Sequence, residues 1–378
     1  MLGICAPCVF QGHVACVLIA MRCRRLPTAL ELYAHDLRDP DPTPCAYPMY
    51  VVSLQEALRM NSMEAHEVLR ADGIAVPFQA RMGNAAFIGH QWAARFHPDP
   101  EFSQFRVLQG ALQNIMTSIK YINADMVTEG LVGARGISTE CFRCKPLFLW
   151  YDYFSVPQTE RAKQYKAIRS LPEYCARCSF FFALCPVLES EAAELKSSKS
   201  WNCRGWCRFE RTIRELGQDG TWVLIKSTSA MEVVATPFAS FRGSVAEGVF
   251  TIASDSEKLC QITKEVLQNK LRYLLRAKDF SGYRALLHLQ NFYLRGSGLD
   301  PTAGLLPGLE DHGELEQFLY QLGMEGVASR DKPQWSPLHY AALNGSSSLI
   351  EGLLQRRSNP NELTGKLHPQ APQDPRAH

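Results

Sequence analysis

The stretch PLFLWYD, residues 146–152, is apolar at every position until it stops on Asp152. A strand with one face in water alternates polar and apolar residues. A run that is apolar throughout suits a strand covered on both faces, as in a parallel sheet with helices above and below. The same signature recurs on either side. Ala85-Ala86-Phe87-Ile88 leads into Gly89-His90-Gln91-Trp92, residues 178–185 read CSFFFALC before Pro186, and residues 221–225 read TWVLI. Gly248-Val249-Phe250-Thr251-Ile252 is expected to be a fifth strand.

Between these runs the pattern changes to the helical period. Phe102, Phe105, Leu108, Leu112, Ile115 and Ile119 recur three or four residues apart, with Asp99 as the expected cap and Pro100 at the first helical position. Further helices are expected over 161–170 and onward from Trp206. Alternating strands and helices imply an α/β fold, a mainly parallel sheet flanked by helices. Ligands in such folds sit at the carboxyl ends of the strands. His90, Asp152 and the helix carrying Glu210 all follow strand ends, so one crevice is expected to hold them. Trp92 and Ser155 lie in the loops behind two of those strands, and Trp206 opens the Glu210 helix.

The 378 residues are 46% hydrophobic, 10% aromatic and 21% charged, a globular composition that suits two or three domains. Forty Lys and Arg against 38 Asp and Glu leave a formal charge of +2, which argues against a nucleic-acid binder. Thirteen cysteines, an odd number spread over a long chain, form no regular disulfide framework and point to a reducing, cytoplasmic setting. Residues 2–21 carry no formal charge and precede Arg22, Arg24 and Arg25, but two glycines, a proline, Gln11 and His13 weaken them as a membrane span, and no anchor is expected. Cys5, Cys8, Cys16 and Cys23 fit no familiar zinc spacing. Residues 36–47, dense in Asp and Pro, read as a linker, and 367–378 as a disordered tail.

The order of motifs resembles a Toll/interleukin-1 receptor (TIR) domain over roughly residues 83–252. Phe87-Ile88-Gly89-His90 answers that family's first strand, with Gly89 where Ser is usual. Trp150-Tyr151-Asp152 answers the second, residues 180–184 the third, and Trp206-Cys207-Arg208-Phe209-Glu210, with Ser200 upstream, the W-C-x-x-E opening of the next helix. The resemblance implies a flavodoxin-like order of strands and an intracellular signalling role. In its catalytic members the glutamate of that segment cleaves the nicotinamide–ribose bond of NAD. Glu210 is then the catalytic candidate, with His90, Trp92, Asp152, Ser155 and Trp206 as substrate-binding candidates. NAD is a substrate here, and no cofactor or metal is implied. The rival reading is a non-enzymatic adaptor that self-associates or binds protein partners. Glu210 also stands out from the residues alone, because it shares the apolar stripe of its helix with Trp206, Phe209 and Ile213. A first-turn Glu favoured by the helix dipole, or one paired with an arginine, is the structural alternative.

Three other patterns point to structure before chemistry. Arg204, Arg208, Arg211 and Arg214 fall on one helix face, expected to be solvated, with an anion or an acidic partner as the alternative. The pairs Cys141/Cys144 and Cys175/Cys178 have CxxC spacing, but their separation exceeds that of a compact zinc ribbon. Cys207 near His90 lacks a third residue to orient such a pair.

Residues 258–276 read as a helix and 296–313 as a Gly/Pro linker. Ser336-Pro337-Leu338-His339-Tyr340-Ala341-Ala342 then resembles the ankyrin repeat, with Gly345 following and Leu349, Ile350, Leu353 and Leu354 supplying a second helix. Residues 314–322 read as a degenerate unit, and 364–369 echo the signature. Leu338, Ala341, Leu353 and Leu354 are expected to be buried. The organisation expected is 1–47, an α/β module over 48–297, a linker over 298–313, an ankyrin-type segment over 314–366 that binds protein partners, and a tail. It is similar to that of ankyrin-repeat proteins of protists.

Overall fold

The structure, a computed structural model, describes residues 26–38, 45–133, 135–189, 195–217, 220–234, 243–308 and 312–363. The apolar N-terminal segment with its cysteines, part of the 36–47 linker, the echo at 364–369 and the tail lie outside the described residues.

Seven strands make one sheet: β1 (Tyr50–Ser53), β2 (Ala75–Pro77), β3 (Asn84–His90), β4 (Leu147–Tyr151), β5 (Phe180–Leu184), β6 (Trp222–Ile225) and β7 (Met231–Val234). Their order is β7-β6-β5-β3-β4-β1-β2. The four fully apolar runs are its centre, all mutually parallel. The three outer strands are antiparallel to their neighbours, β7 joining β6 through a tight turn. Residues 248–252, expected to be a strand, make only one isolated bridge, Val249 to Arg204. Val249 and Ile252 are exposed there, and among the described residues the segment joins no sheet.

Neighbouring residues on a strand point to opposite faces, and the aromatic contacts identify what lies on each. Trp150, with Phe87 and Phe181 stacked in the same layer, meets Tyr174 of the helix Leu171–Arg177. Tyr151 faces the other way and meets Phe105 of α1 (Ser103–Thr117). Helices therefore cover both faces. The helix α2 (Gly205–Leu216), which carries Glu210, packs on the Tyr174 side beside β3.

Asp99 does cap α1, but across a wider turn than expected. Its carboxylate accepts from the backbone N–H groups of Ser103 and Phe105, while Phe102 takes a left-handed conformation before the helix begins, so Pro100 lies outside it. The predicted helices over 161–170 and 258–276 are found as Arg161–Arg169 and α3 (Ser254–Arg276).

Beyond α3, helices α4 (Phe280–Tyr293), α5 (Glu314–Leu322), α6 (Pro337–Asn344) and α7 (Ser347–Gln355) follow among the described residues. In α6, Pro337 opens the helix, Ser336 and His339 form a reciprocal cap, and Gly345 ends it with a positive φ of 77°. Ala341 and Leu353 are buried; Leu338 is half-buried and Leu354 exposed. Leu354, on the second helix of the pair, is 40% exposed. Among the described residues no helix is long and apolar enough to cross a membrane.

Candidate functional site

The carboxyl ends of β3 and β4 bring His90, Trp92 and Asp152 together, with Glu210 across the strand. Ile88 lies opposite Tyr151, so one further step in register sets Asp152 beside Gly89. On the other side Gly89 pairs with Ala183 and His90 with Leu184. This is where the chain leaves β3 for β4 on one side and later returns for β5 on the other, the switch point at which open α/β sheets bind ligands.

Glu210 reaches this point from α2. The helix starts against the 248–250 segment, where Gly205 touches the Phe250 ring so closely that no Cβ would fit. Cys207, Phe209, Glu210 and Ile213 are buried along its inner side. Glu210, 7% exposed, lies on the backbone of Gly89; a Cβ added there would stand 2.8 Å from its Oε2 and 2.9 Å from the Phe181 ring. Oε2 has no hydrogen-bond partner among the described residues. Burial, and then the charge of Asp152, push the Glu210 carboxyl well above its ordinary range.

His90 lies on the opposite face of the same strand end, stacked on Tyr151 at a centroid distance of 3.9 Å. Desolvation lowers its pKa, against the pull of Asp152 and Asp99, and keeps the imidazole neutral. Its Nε2 is 3.5 Å from Asp152 Oδ1, an ion-pair distance, and neither ring nitrogen has a hydrogen-bond partner. The Tyr151 hydroxyl and Asp152 Oδ1 are likewise buried without partners. Asp152 is the hub. Its Oδ2 accepts from Trp92 Nε1 at 2.8 Å, its side chain is 31% exposed, and it acts electrostatically on both His90 and Glu210.

The crevice expected to hold all the candidates is thus divided. Trp92, His90 and Asp152 meet on one side of the β3 end, and Glu210 lies across the strand, because Gly89 and His90 are successive residues and point to opposite faces. Ser155 is turned inward, its Oγ accepting from the Tyr151 N–H at 3.2 Å. Trp206 points away, its Nε1 donating to Asp255 at 3.3 Å. Tyr151 and Gly89 belong to the site but read in sequence as strand interior; a glycine at the last step of a strand was the available signal, since it marks close approach of another group.

The arginine face of α2 is a correction. Arg211 and Arg214 are buried, and Arg208 half-buried. Arg208 donates to the carbonyls of Asn202 and Ser244, Arg211 to the Asn202 side chain, and Arg214 to the carbonyls of Thr221 and Cys178. The adjoining loops cover this face, and the guanidinium forks bind the backbone that does so. Cys207 donates to the His90 carbonyl at 3.4 Å, not to its ring, and burial raises its thiol pKa, so the two form no nucleophile–base pair. Among the described residues no group of three or more His, Cys, Asp or Glu side chains is placed to hold a metal ion.

No protein-family profile matches this sequence, and neither a curated protein nor a solved structure does.

Proposed function

We propose that the α/β body is a TIR-like signalling module that hydrolyses the nicotinamide–ribose bond of NAD at the β3–β4 strand ends, with Glu210 as the catalytic carboxylate. One observation carries this reading: a buried carboxyl, its Oε2 without a hydrogen-bond partner, lies over Gly89 at the switch point of the sheet, within the electrostatic reach of Asp152. Unpaired buried ionisable groups cost stability and concentrate where chemistry needs them. Departure of nicotinamide leaves an oxocarbenium-like ribose, which a carboxylate at close range stabilises. In the resting protein burial disfavours the ionised form of Glu210. The positive charge of a bound nicotinamide ring favours its ionised form, so substrate binding itself supplies the charge that the reaction needs. Asp152, half-open to solvent and held by Trp92, is left to accept a ribose hydroxyl.

The experiment is release of nicotinamide by the full chain, free and clustered on a multivalent scaffold, for wild type against Glu210→Gln. Gln keeps the volume and loses the charge, so turnover falls about 100-fold or more. Equal release by the two proteins removes Glu210 from the reaction.

A second reading, a non-enzymatic adaptor, is favoured by a different observation. Phe96, Val187 and Leu195 are exposed apolar side chains on the loops that follow β3 and β5, at the same end of the sheet, while His90 and Glu210 beneath are closed off. Such a surface suits self-association. The C-terminal helices suit protein binding: α4 packs on α6 and α5 on α7, which we read as two stacked ankyrin-type pairs, the first with a long insertion. No release of nicotinamide in any assembly state, together with concentration-dependent association, establishes this reading instead.

A further inference from the structure

Of the two CxxC pairs, one is buried and one is not. Cys175 and Cys178 are both in the core, where desolvation raises their thiol pKa values. Cys141 and Cys144 lie in the excursion between α1 and β4, on the one-turn helix Glu140–Arg143, for which Cys144 is the C-cap. Phe142, between them, is fully buried against Phe180 and Phe182, which pins the turn to the sheet. The two cysteines are left on the outer side, Cys141 half-buried and Cys144 exposed. Each thiol donates to a carbonyl of the preceding turn, Cys141 to Ser138 at 2.9 Å and Cys144 to Cys141 at 3.1 Å, and the Cys144 sulfur also accepts a long contact from Asn84 Nδ2 at 4.0 Å. Residues three apart in a helical turn hold their Cα atoms about 5 Å apart, within the range a disulfide spans.

We infer that Cys141 and Cys144 form a thiol–disulfide exchange site for a low-molecular-weight disulfide such as oxidised glutathione. Cys144, the exposed member, attacks as its thiolate. One S–S bond of glutathione disulfide breaks, a mixed disulfide forms on Cys144, and one glutathione thiolate leaves and takes up the proton that Cys144 gave to solvent. Cys141 then loses its proton and attacks the Cys144 sulfur, closing the protein disulfide and releasing the second glutathione. Two protein thiols are oxidised and one glutathione disulfide is reduced to two thiols. Burial, and next the neighbouring Cys144, hold the Cys141 thiol up at about 11. That suits the resolving role, in which intramolecular proximity replaces a high thiolate fraction. The site is independent of the strand-end chemistry, being attached to the opposite, amino-terminal end of β4.

The test uses the full chain equilibrated with reduced and oxidised glutathione, then acid-quenched, alkylated and mapped with trypsin. Trypsin cuts after Arg143, so a Cys141–Cys144 disulfide holds the two resulting peptides together until they are reduced. The wild-type protein is expected to give this linked pair in excess oxidised glutathione. Cys141→Ser should accumulate the glutathione adduct on Cys144 at least about tenfold over wild type, because nothing resolves it. Cys144→Ser should give no linked pair. Exposed Cys203 reports in the same digest that the oxidant reached the protein. Full alkylation of both cysteines while Cys203 carries an adduct overturns the inference, as does a wild-type protein that stops at the Cys144 adduct.

Discussion

Two buried polar clusters lie in different parts of this molecule and are built in opposite ways. In the C-terminal helices, Asp331 accepts from the Trp335 N–H at 2.7 Å and from the Tyr340 hydroxyl, with Arg284 of α4 3.9 Å away. Arg284 also donates to the Leu322 carbonyl at 2.6 Å. At the ends of β3 and β4, the His90 nitrogens, the Tyr151 hydroxyl, Asp152 Oδ1 and Glu210 Oε2 have no partner. Burial is similar and satisfaction is not. The first cluster joins the turn before α6 to α4. The second offers the fold little, since a buried polar atom without a partner costs about 1–3 kcal/mol. That contrast is what the proposed role of Glu210 rests on.

Removing Asp331 should have the largest effect. Asp331→Ala takes the acceptor from Trp335 and Tyr340 and the nearby counter-charge from Arg284. We expect a loss of about 3–5 kcal/mol, localised by hydrogen exchange to α4–α7. A loss below about 1 kcal/mol would erase the contrast between the clusters.

Gly89→Ala comes next. The new Cβ meets both Glu210 Oε2 and the Phe181 ring. Overpacking of that kind costs about 1–3 kcal/mol in urea unfolding. Unchanged stability would mean that Glu210 moves freely out of its place.

The smallest effect is a slope with pH. Because the folded-state pKa of Glu210 is raised, the protonated carboxyl contributes stability that is complete below the unfolded pKa, near 4.5. As pH rises from there toward the folded value, the unfolded chain holds fewer protons than the native one, and stability falls by up to about 1.4 kcal/mol per unit. Glu210→Gln should remove this slope, measured as the difference between the two proteins at matched pH. Parallel curves for the two would show Glu210 to be solvated.

The centre of the fold was legible because its cause is local. Each of the four parallel strands has an uninterrupted apolar run at its centre, and a run of that kind has few stable places other than a doubly covered sheet. The outer strands β1, β2 and β7 are three or four residues long, too short to carry a period, and were not anticipated. Residues 248–252 had the composition of a strand and no neighbour to pair with. The burial of Glu210 was legible from its place in the apolar stripe of α2. The burial of Arg211 and Arg214 was not, since a helical pattern describes one helix and not the loops that cover it.

What the sequence determined by itself, then, was the four central strands, the main helices beside them and the strand ends at which polar residues collect. Tertiary structure decided which of those residues meet. It set His90 and Glu210 on opposite sides of β3 through the alternation of adjacent side chains. It turned Trp206 toward Asp255 and Ser155 toward the backbone, and it placed Glu210 on the one residue without a side chain to exclude it. Those outcomes depend on register and on contacts between distant segments, and a linear pattern carries information about neither.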